Sequence, residues 1–291
     1  MSPVGESVTG RVLGVLAAFS AERPELTLTE ISRRAGLPLT TAHRIVGELA
    51  AWGALERQAG CYRIGLRLWE VGALAPRGLG LRETAMPFLE DLYEVTRQNV
   101  QLAVLDGTDA VYVERISGRG AVNVITRVGG RLPLHATGVG LVLLAHARPD
   151  LQEQVLAGPL RRYTPKTICV PAELRRVLAE VRREGVAITD GMVELIALSI
   201  AAPVRDARGD VVAALSVVVP SEGTDARAYV PAVRAAARAI SRALGSPDRP
   251  RPVETVLAGD DPAGVQEGHL HGAGSSGRPP SGPVRTGRPP S

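Results

Sequence analysis

The chain has 291 residues, 45% of them hydrophobic and 22% charged, with a net charge of +4 and two cysteines. That length suits about two domains of ordinary size, and that share of apolar residues can bury a core. No stretch approaches the ~18 uninterrupted apolar residues of a membrane span. No charged-then-apolar leader is read at the start, and Cys61 and Cys169, far apart in sequence and without a CxxC partner, give no expectation of a disulfide framework. A cytoplasmic protein with no membrane segment is the expectation. The charge excess is spread out: residues 1–76 carry eight Arg against seven Glu. Charge placement, not net charge, must therefore carry any argument for nucleic acid.

In chain order, Ser7 can cap a first helix whose stripe is Val8, Val12, Val15, Leu16 and Phe19. Thr27 followed by Glu30 forms a capping box, and Gly36 is a suitable stop for the short helix between them. Pro38 is placed as the first residue of a third helix that runs to Trp52 and stops at Gly53. Its buried side is Ala42, Ile45, Val46 and Leu49; Thr40, His43, Arg44 and Gly47 fall on the other side. Two short helices across a Gly-containing turn, the second polar on its outer face, describe a helix-turn-helix. From Ile31 to Gly47 there are three Arg and no acid, which suits a phosphate backbone. Arg33, Thr40, Thr41, His43 and Arg44 are the candidate DNA contacts: hydroxyls can bond phosphates or base edges, and Arg can grip guanine with two bonds. The alternating runs Ala54–Arg57 and Cys61–Ile64 around Gln58-Ala59-Gly60 read as a hairpin wing, with Arg57 and Arg63 as further DNA-contact candidates.

After a Pro/Gly joint at Ala75–Gly80, a helix is expected over Leu81–Gln98, with Leu89, Leu92 and Val95 on its apolar side and Pro87 starting or kinking a turn. Strands follow at Val100–Leu105, Ala110–Ile116 and Ala121–Val128. Next come an apolar helix Leu141–Ala147 and a helix Pro171–Glu184. Strands at Val186–Asp190, Leu198–Val204 and Val211–Val219 precede a closing helix, Tyr229–Leu244. Hairpins interleaved with helices suggest an antiparallel sheet flanked by helices, giving an α+β fold. Thr137-Gly138-Val139-Gly140 opens a helix whose free amides favour an anionic group such as a carboxylate. Ser199 and Ser216 could add hydroxyls from the late hairpin; His135 reads as a satisfied structural residue. From Ser246 onward the chain is dense in Gly, Pro, Ser and Arg and is expected to be disordered.

GxxxxGK[ST], GxSxG and HExxH are absent, and the His and Cys residues lack structural-metal spacing, so neither an enzyme nor a cofactor is expected. His269-x-His271 falls in the tail. The runs SVTGRVLGVLAAFS, LTLTEISRRAGLPLTTAHRIVGELAAWGALER, CYRIGLRLWEVGA, LRETAMPFLEDLYEVT, RVGGRLPLHATGVG and IAAPVRDARGDVVAALSV, in this order and spread across residues 7–245, resemble the IclR family of bacterial transcriptional regulators. The resemblance implies a winged helix-turn-helix over 4–65, a linker helix and joint over 66–80, a GAF-like effector-binding domain over 81–245 and a tail over 246–291. It implies binding to double-stranded operator DNA, repression or activation, a small organic-acid effector, and a homodimer or homotetramer joined through the DNA-binding domains. Carried over by position, the effector site comprises Gly138, Val139, Thr189, Asp190, Ser199 and Ser216. The chain departs from the family where Thr189-Asp190 replaces a frequent acid pair, Ser199 a frequent Cys, Ile196 a usual Gly and Leu39 a frequent Lys. A ligand-binding or protein-interaction module whose winged helix serves only dimerisation is the alternative.

Overall fold

The computed structural model describes residues 7–20, 22–75 and 79–247. Residues 76–78 of the joint, the tail beyond Pro247 and the His269–His271 pair lie outside the described residues.

Helix α1 (Val8–Ala17) begins at Ser7, whose hydroxyl accepts from the Gly10 amide at 2.9 Å. A short strand β1 (Glu25–Thr27), not foreseen from the sequence, leads into α2 (Leu28–Ala35). The expected capping box is complete: Thr27 Oγ1 accepts from the Glu30 amide at 3.3 Å, and Glu30 Oε2 accepts from the Thr27 amide at 2.9 Å. Gly36 closes α2 at φ 66°, a left-handed conformation that suits glycine. Helix α3 (Leu39–Trp52) starts one residue later than expected. Pro38 has an extended ψ of 143°, so it stands before the helix, not as its first residue.

The wing is β2 (Leu55–Gln58) paired with β3 (Cys61–Ile64), and β1 adds on the far side of β3. The turn is only Ala59–Gly60, at φ 49° and 84°, the positive pair a two-residue hairpin demands. Gly65 closes the domain: a β-carbon there would sit 2.2 Å from the Gly53 carbonyl oxygen. Val15, Leu26, Ile31, Ile45, Val46 and Leu55 form the small core beneath these elements. Helix α4 (Leu66–Ala73) follows and buries none of its residues.

The second half opens with α5 (Leu79–Thr96) and a six-stranded, wholly antiparallel sheet. Its strands are β4 (Asn99–Asp106), β5 (Asp109–Ile116), β6 (Arg131–Pro133), β7 (Ala187–Asp190), β8 (Ala197–Arg205) and β9 (Val211–Pro220), in the order β6-β5-β4-β9-β8-β7. A single turn at Leu134–Ala136 leads into α6 (Gly138–Ala145), then come α7 (Pro149–Ala157), α8 (Pro171–Glu184) and, last, α9 (Ala226–Ala243). Strand alternation divides the sheet into two apolar faces. Leu102, Ile200, Leu215 and Val217 pack against Leu89 of α5 and Val233 and Ile240 of α9. Ala103, Tyr112, Ala201 and Ala214 pack against α6 and, beyond it, Leu174 and Leu178 of α8. Helix α6 is buried along its whole length, which fits its uniformly apolar sequence.

Four expectations change. Helix α5 continues through Pro87 without a break. Val95, assigned to its apolar side, is 77% exposed. Helix α7 was missed, although Pro149 at its start and Asp150 in its first turn are a start signal. Ala121–Val128 is a loop, not a strand. Its alternating β-branched residues mimic a strand, but side chains supply its bonds in place of a ladder. Asn99 Nδ2 donates to the Val122 carbonyl at 2.7 Å and Arg115 Nη1 to the Thr126 carbonyl at 2.8 Å. No helix among the described residues is long and apolar enough to cross a membrane.

Candidate functional site

Two regions gather the candidate residues. The first is the outer face of α3 with the end of α2 and the wing. Thr40, His43 and Arg44 are exposed on α3 and Thr41 is half-buried, while Ala42, Ile45 and Val46 anchor the helix from below. Arg33 is exposed in the last turn of α2, where its charge also complements the helix dipole. The arginines are not idle. Arg44 Nη1 lies 2.6 Å from Glu48 Oε1, one turn along the same helix. The acid-free stretch read from the sequence therefore ends at a carboxylate that Arg44 reaches. An exposed pair of this spacing stabilises by only about 0.3–0.5 kcal/mol, against about 1–3 kcal/mol for a good two-bond contact to a base. A base contact of that kind would outweigh the ion pair.

The wing arginines differ from each other. Arg63 lies opposite Glu56 in the hairpin, with Nε donating to Glu56 Oε2 at 2.9 Å and Nη2 at 2.8 Å. Glu56 Oε1 also accepts from the Leu66 amide at 3.3 Å. The Arg63 bond and then the Leu66 bond hold the Glu56 carboxyl below the usual range. Arg63 is thus built into the junction between the wing and α4. Arg57 instead stacks over Tyr62 at 5.8 Å, leaving its guanidinium on the exposed wing surface.

The second region is a pocket between the α6 face of the sheet and the 121–128 loop, with about 450 Å³ of atom-free space that includes open solvent at its mouth. The opening of α6 forms one wall. Thr137 Oγ1 accepts from the Gly140 amide at 3.0 Å, capping the helix. A β-carbon on Gly138 would lie 2.8 Å from Ser199 Oγ, and one on Gly140 2.3 Å from the Leu134 carbonyl oxygen. These glycines let α6 press against β8 and the preceding turn. Gly138, Val139, Thr189, Ser199 and Ser216 all line the pocket. Ser216 is 1% exposed, and its hydroxyl has no hydrogen-bond partner.

Asp190 does not join them. Along β7, Ala187 and Thr189 are buried while Ile188 and Asp190 face outward. The Asp190 carboxylate meets Lys166 Nζ at 2.5 Å and the Ser221 hydroxyl. Lys166 first and then Ser221 hold its pKa down. Adjacent strand residues point to opposite faces, so only one of the pair could enter the pocket.

Several pocket residues went unforeseen. Gln101 projects from β4 and donates through Nε2 to Thr126 Oγ1 at 2.6 Å. The Tyr112 hydroxyl is hydrogen-bonded to Thr137, and burial pushes its pKa up, keeping the phenol neutral. Glu194 Oε2 accepts from the Ile125 amide at 3.0 Å, tying the 121–128 loop to the segment after β7. Among the described residues, Glu194 is the one carboxylate lining the pocket, and no Arg, Lys or His lines it. The same loop carries Arg127, which is ion-paired with Glu22 in the first domain. His135 is buried, with Nε2 bonded to the Arg161 carbonyl at 3.0 Å, as its structural reading expected.

Comparison with known proteins matches both halves of the chain. Residues 75–242 match the family model described as bacterial transcriptional regulator IclR C-terminal, and residues 8–59 match the IclR helix-turn-helix domain. The HTH-type transcriptional regulator XynR of Escherichia coli K12 is 34% identical, over 84% of this chain and 99% of that protein. BhcR of Paracoccus denitrificans is 36% identical, over 79% of this chain and 83% of its own length. Among solved structures, an IclR homologue from Microbacterium hydrocarbonoxydans complexed with 4-hydroxybenzoate superposes with a TM-score of 0.77 at 42% identity, covering 80% of this chain and 97% of that one. The chain belongs to the IclR family and is a helix-turn-helix transcriptional regulator.

Proposed function

We propose that the protein binds operator DNA through α3 and the wing, and that a small monocarboxylic acid in the sheet pocket modulates that binding. Thr40, Thr41, His43 and Arg44 would read the major groove, with Arg33 and Arg57 on flanking phosphates. In the pocket, the observation that carries the reading is Ser216: a buried hydroxyl with no partner, on the wall of a cavity. Leaving such a group unsatisfied costs about 1–3 kcal/mol, which a ligand acceptor would recover. The opening of α6 offers backbone amides and the positive end of a helix dipole to one carboxylate. With no cation and one carboxylate, Glu194, among the described lining residues, a second negative charge has nowhere favourable to sit. The homologue with 4-hydroxybenzoate, itself a monocarboxylate, supports this ligand class.

The protein would act in the cytoplasm as a homodimer or homotetramer. Helix α4 supports assembly, because Leu66 is 61% and Trp69 65% exposed in the single chain, more apolar surface than a lone linker helix would leave in water.

Two experiments test the reading. Arg44→Ala is expected to cost about 1–3 kcal/mol of operator affinity in a gel-shift titration. Unchanged affinity would remove Arg44 from the contact surface. A thermal-shift screen of small monocarboxylic and dicarboxylic acids is expected to give stabilisation by monocarboxylates only. Stabilisation that survives the combined Ser199→Val and Ser216→Val substitutions would place the ligand elsewhere.

A further inference from the structure

A second concavity lies on the other side of the sheet, between β8, the β8–β9 turn, α9 and the end of α8. It encloses about 1030 Å³ open to solvent. Four arginines line it: Arg205 from β8, and Arg234, Arg238 and Arg242 from α9. The last three stand four residues apart, on one stripe of a helix that has no Asp or Glu between Ala226 and Ala243. Arg205 is half-buried and donates through Nη1 to the Gly209 carbonyl at 2.8 Å; Arg234 donates to the Glu184 carbonyl. Glu184 is the one acid in the wall, and its Oε1 accepts from Arg183 Nε at 3.0 Å. Among the described residues, none of these four arginines is in an ion pair.

Like charges four apart on a helix repel. Four arginines converge on this cleft, none of them in an ion pair among the described residues, and the opposing charge that acts on Arg205 is Asp210. The guanidinium fork matches phosphoryl oxygens with two parallel bonds, and its charge cannot be shed by deprotonation. From the helical rise, Arg234 and Arg242 are set about 12 Å apart along the axis, a span that engages more than one phosphoryl group. Arg205 is half-buried, whereas Arg238 and Arg242 are exposed, so the cleft offers a small anion a guanidinium partly withdrawn from water.

We propose that this cleft binds a small polyphosphorylated anion, a ligand class the cation-free pocket on the opposite face cannot take. The test is calorimetric titration of the full-length protein with inorganic tripolyphosphate, inorganic phosphate and sulfate at about 0.15 M salt, where the general ion atmosphere is screened. Saturable binding is expected, tighter for tripolyphosphate than for phosphate or sulfate. Arg238→Ala combined with Arg242→Ala, both exposed positions, is expected to weaken it at least about tenfold. Arg148→Ala combined with Arg175→Ala changes net charge equally, away from the cleft, and is expected to bind as the parent does. No saturable binding of tripolyphosphate, or equal weakening by both double variants, would overturn the proposal. So would a random-sequence duplex that displaces tripolyphosphate and loses affinity through the Arg238/Arg242 variant, since the cleft would then be a DNA-backbone contact.

Discussion

The two regions prepare for their partners in opposite ways. On α3 and the wing most of the polar candidates are exposed, stand on neighbouring elements, and two of their charges are already paired: Arg44 with Glu48, Arg63 with Glu56. In the sheet pocket they are drawn from β4, β5, α6, β7, β8 and β9, largely withdrawn from water, and one hydroxyl is left without a partner. Surface pairs are cheap to exchange, so the first region can trade carboxylates for phosphates at little cost. A buried unsatisfied hydroxyl is expensive, so the second region gains most when filled. The DNA face is thus suited to reversible exchange, and the pocket to discrimination.

The comparison can be broken at several points. The largest effect is expected from Gly140→Ala, whose added methyl would meet the Leu134 carbonyl oxygen at 2.3 Å. It should cost about 1–3 kcal/mol by urea denaturation, as overpacking does. An unchanged midpoint would mean that the opening of α6 is not held as rigidly as the account requires.

Acid sensitivity should reside in the second domain. His146 caps α6, with Nδ1 donating to the Val142 carbonyl at 2.9 Å. Burial chiefly, with Arg205 and Arg182 nearby, lowers its pKa from the ordinary 6.5. The unfolded chain therefore binds this proton at a higher pH than the folded one does. Stability from the neutral ring is complete above the unfolded value and is lost as pH falls below it, with a slope of at most about 1.4 kcal/mol per pH unit. His146→Gln should flatten denaturation midpoints between about pH 7 and 5. An equally steep profile in that variant would assign the effect to other groups.

A smaller and opposite change is expected at the pocket wall. Ser216→Ala removes the unpartnered hydroxyl, so the ligand-free protein should be unchanged or stabilised by about 1 kcal/mol. A clear loss of stability would show that the hydroxyl already has a partner. The smallest effect belongs to the exposed Arg127–Glu22 pair. Arg127→Ala should leave stability nearly unchanged, because exposed pairs are screened by water and salt. A larger loss in thermal unfolding would make that contact a structural joint.

Legibility followed the range of the interactions. The Ser7 and Thr27 caps, the Gly36 stop and the hairpin turn are set by neighbours a few residues apart, so spacing alone located them. The pocket depends on contacts across long stretches of chain: Gln101 to Thr126, Glu194 to Ile125, Tyr112 to Thr137. None of those residue types is distinctive by itself, so periodicity could not find them. The Ala121–Val128 loop misled because alternation reports residue type, while Asn99 and Arg115, distant in sequence, supply the bonds. Asp190 was readable in principle: Thr189 beside it on a half-buried strand already implied that one of the two points away. The effector positions came from family resemblance, and the structure brings five of the six together.

The central claim is that the pocket and the DNA face are coupled. The most direct test is fluorescence anisotropy of the full-length protein on DNA from upstream of its own gene, with and without 4-hydroxybenzoate and a panel of other small monocarboxylates. The account predicts that at least one acid shifts operator affinity by about 5- to 150-fold, a usual range for coupled sites, and that Ser216→Ala sharply reduces the shift without altering operator affinity in the absence of acid. An acid that stabilises the protein yet leaves operator affinity unchanged, or a shift that Ser216→Ala leaves intact, would contradict it.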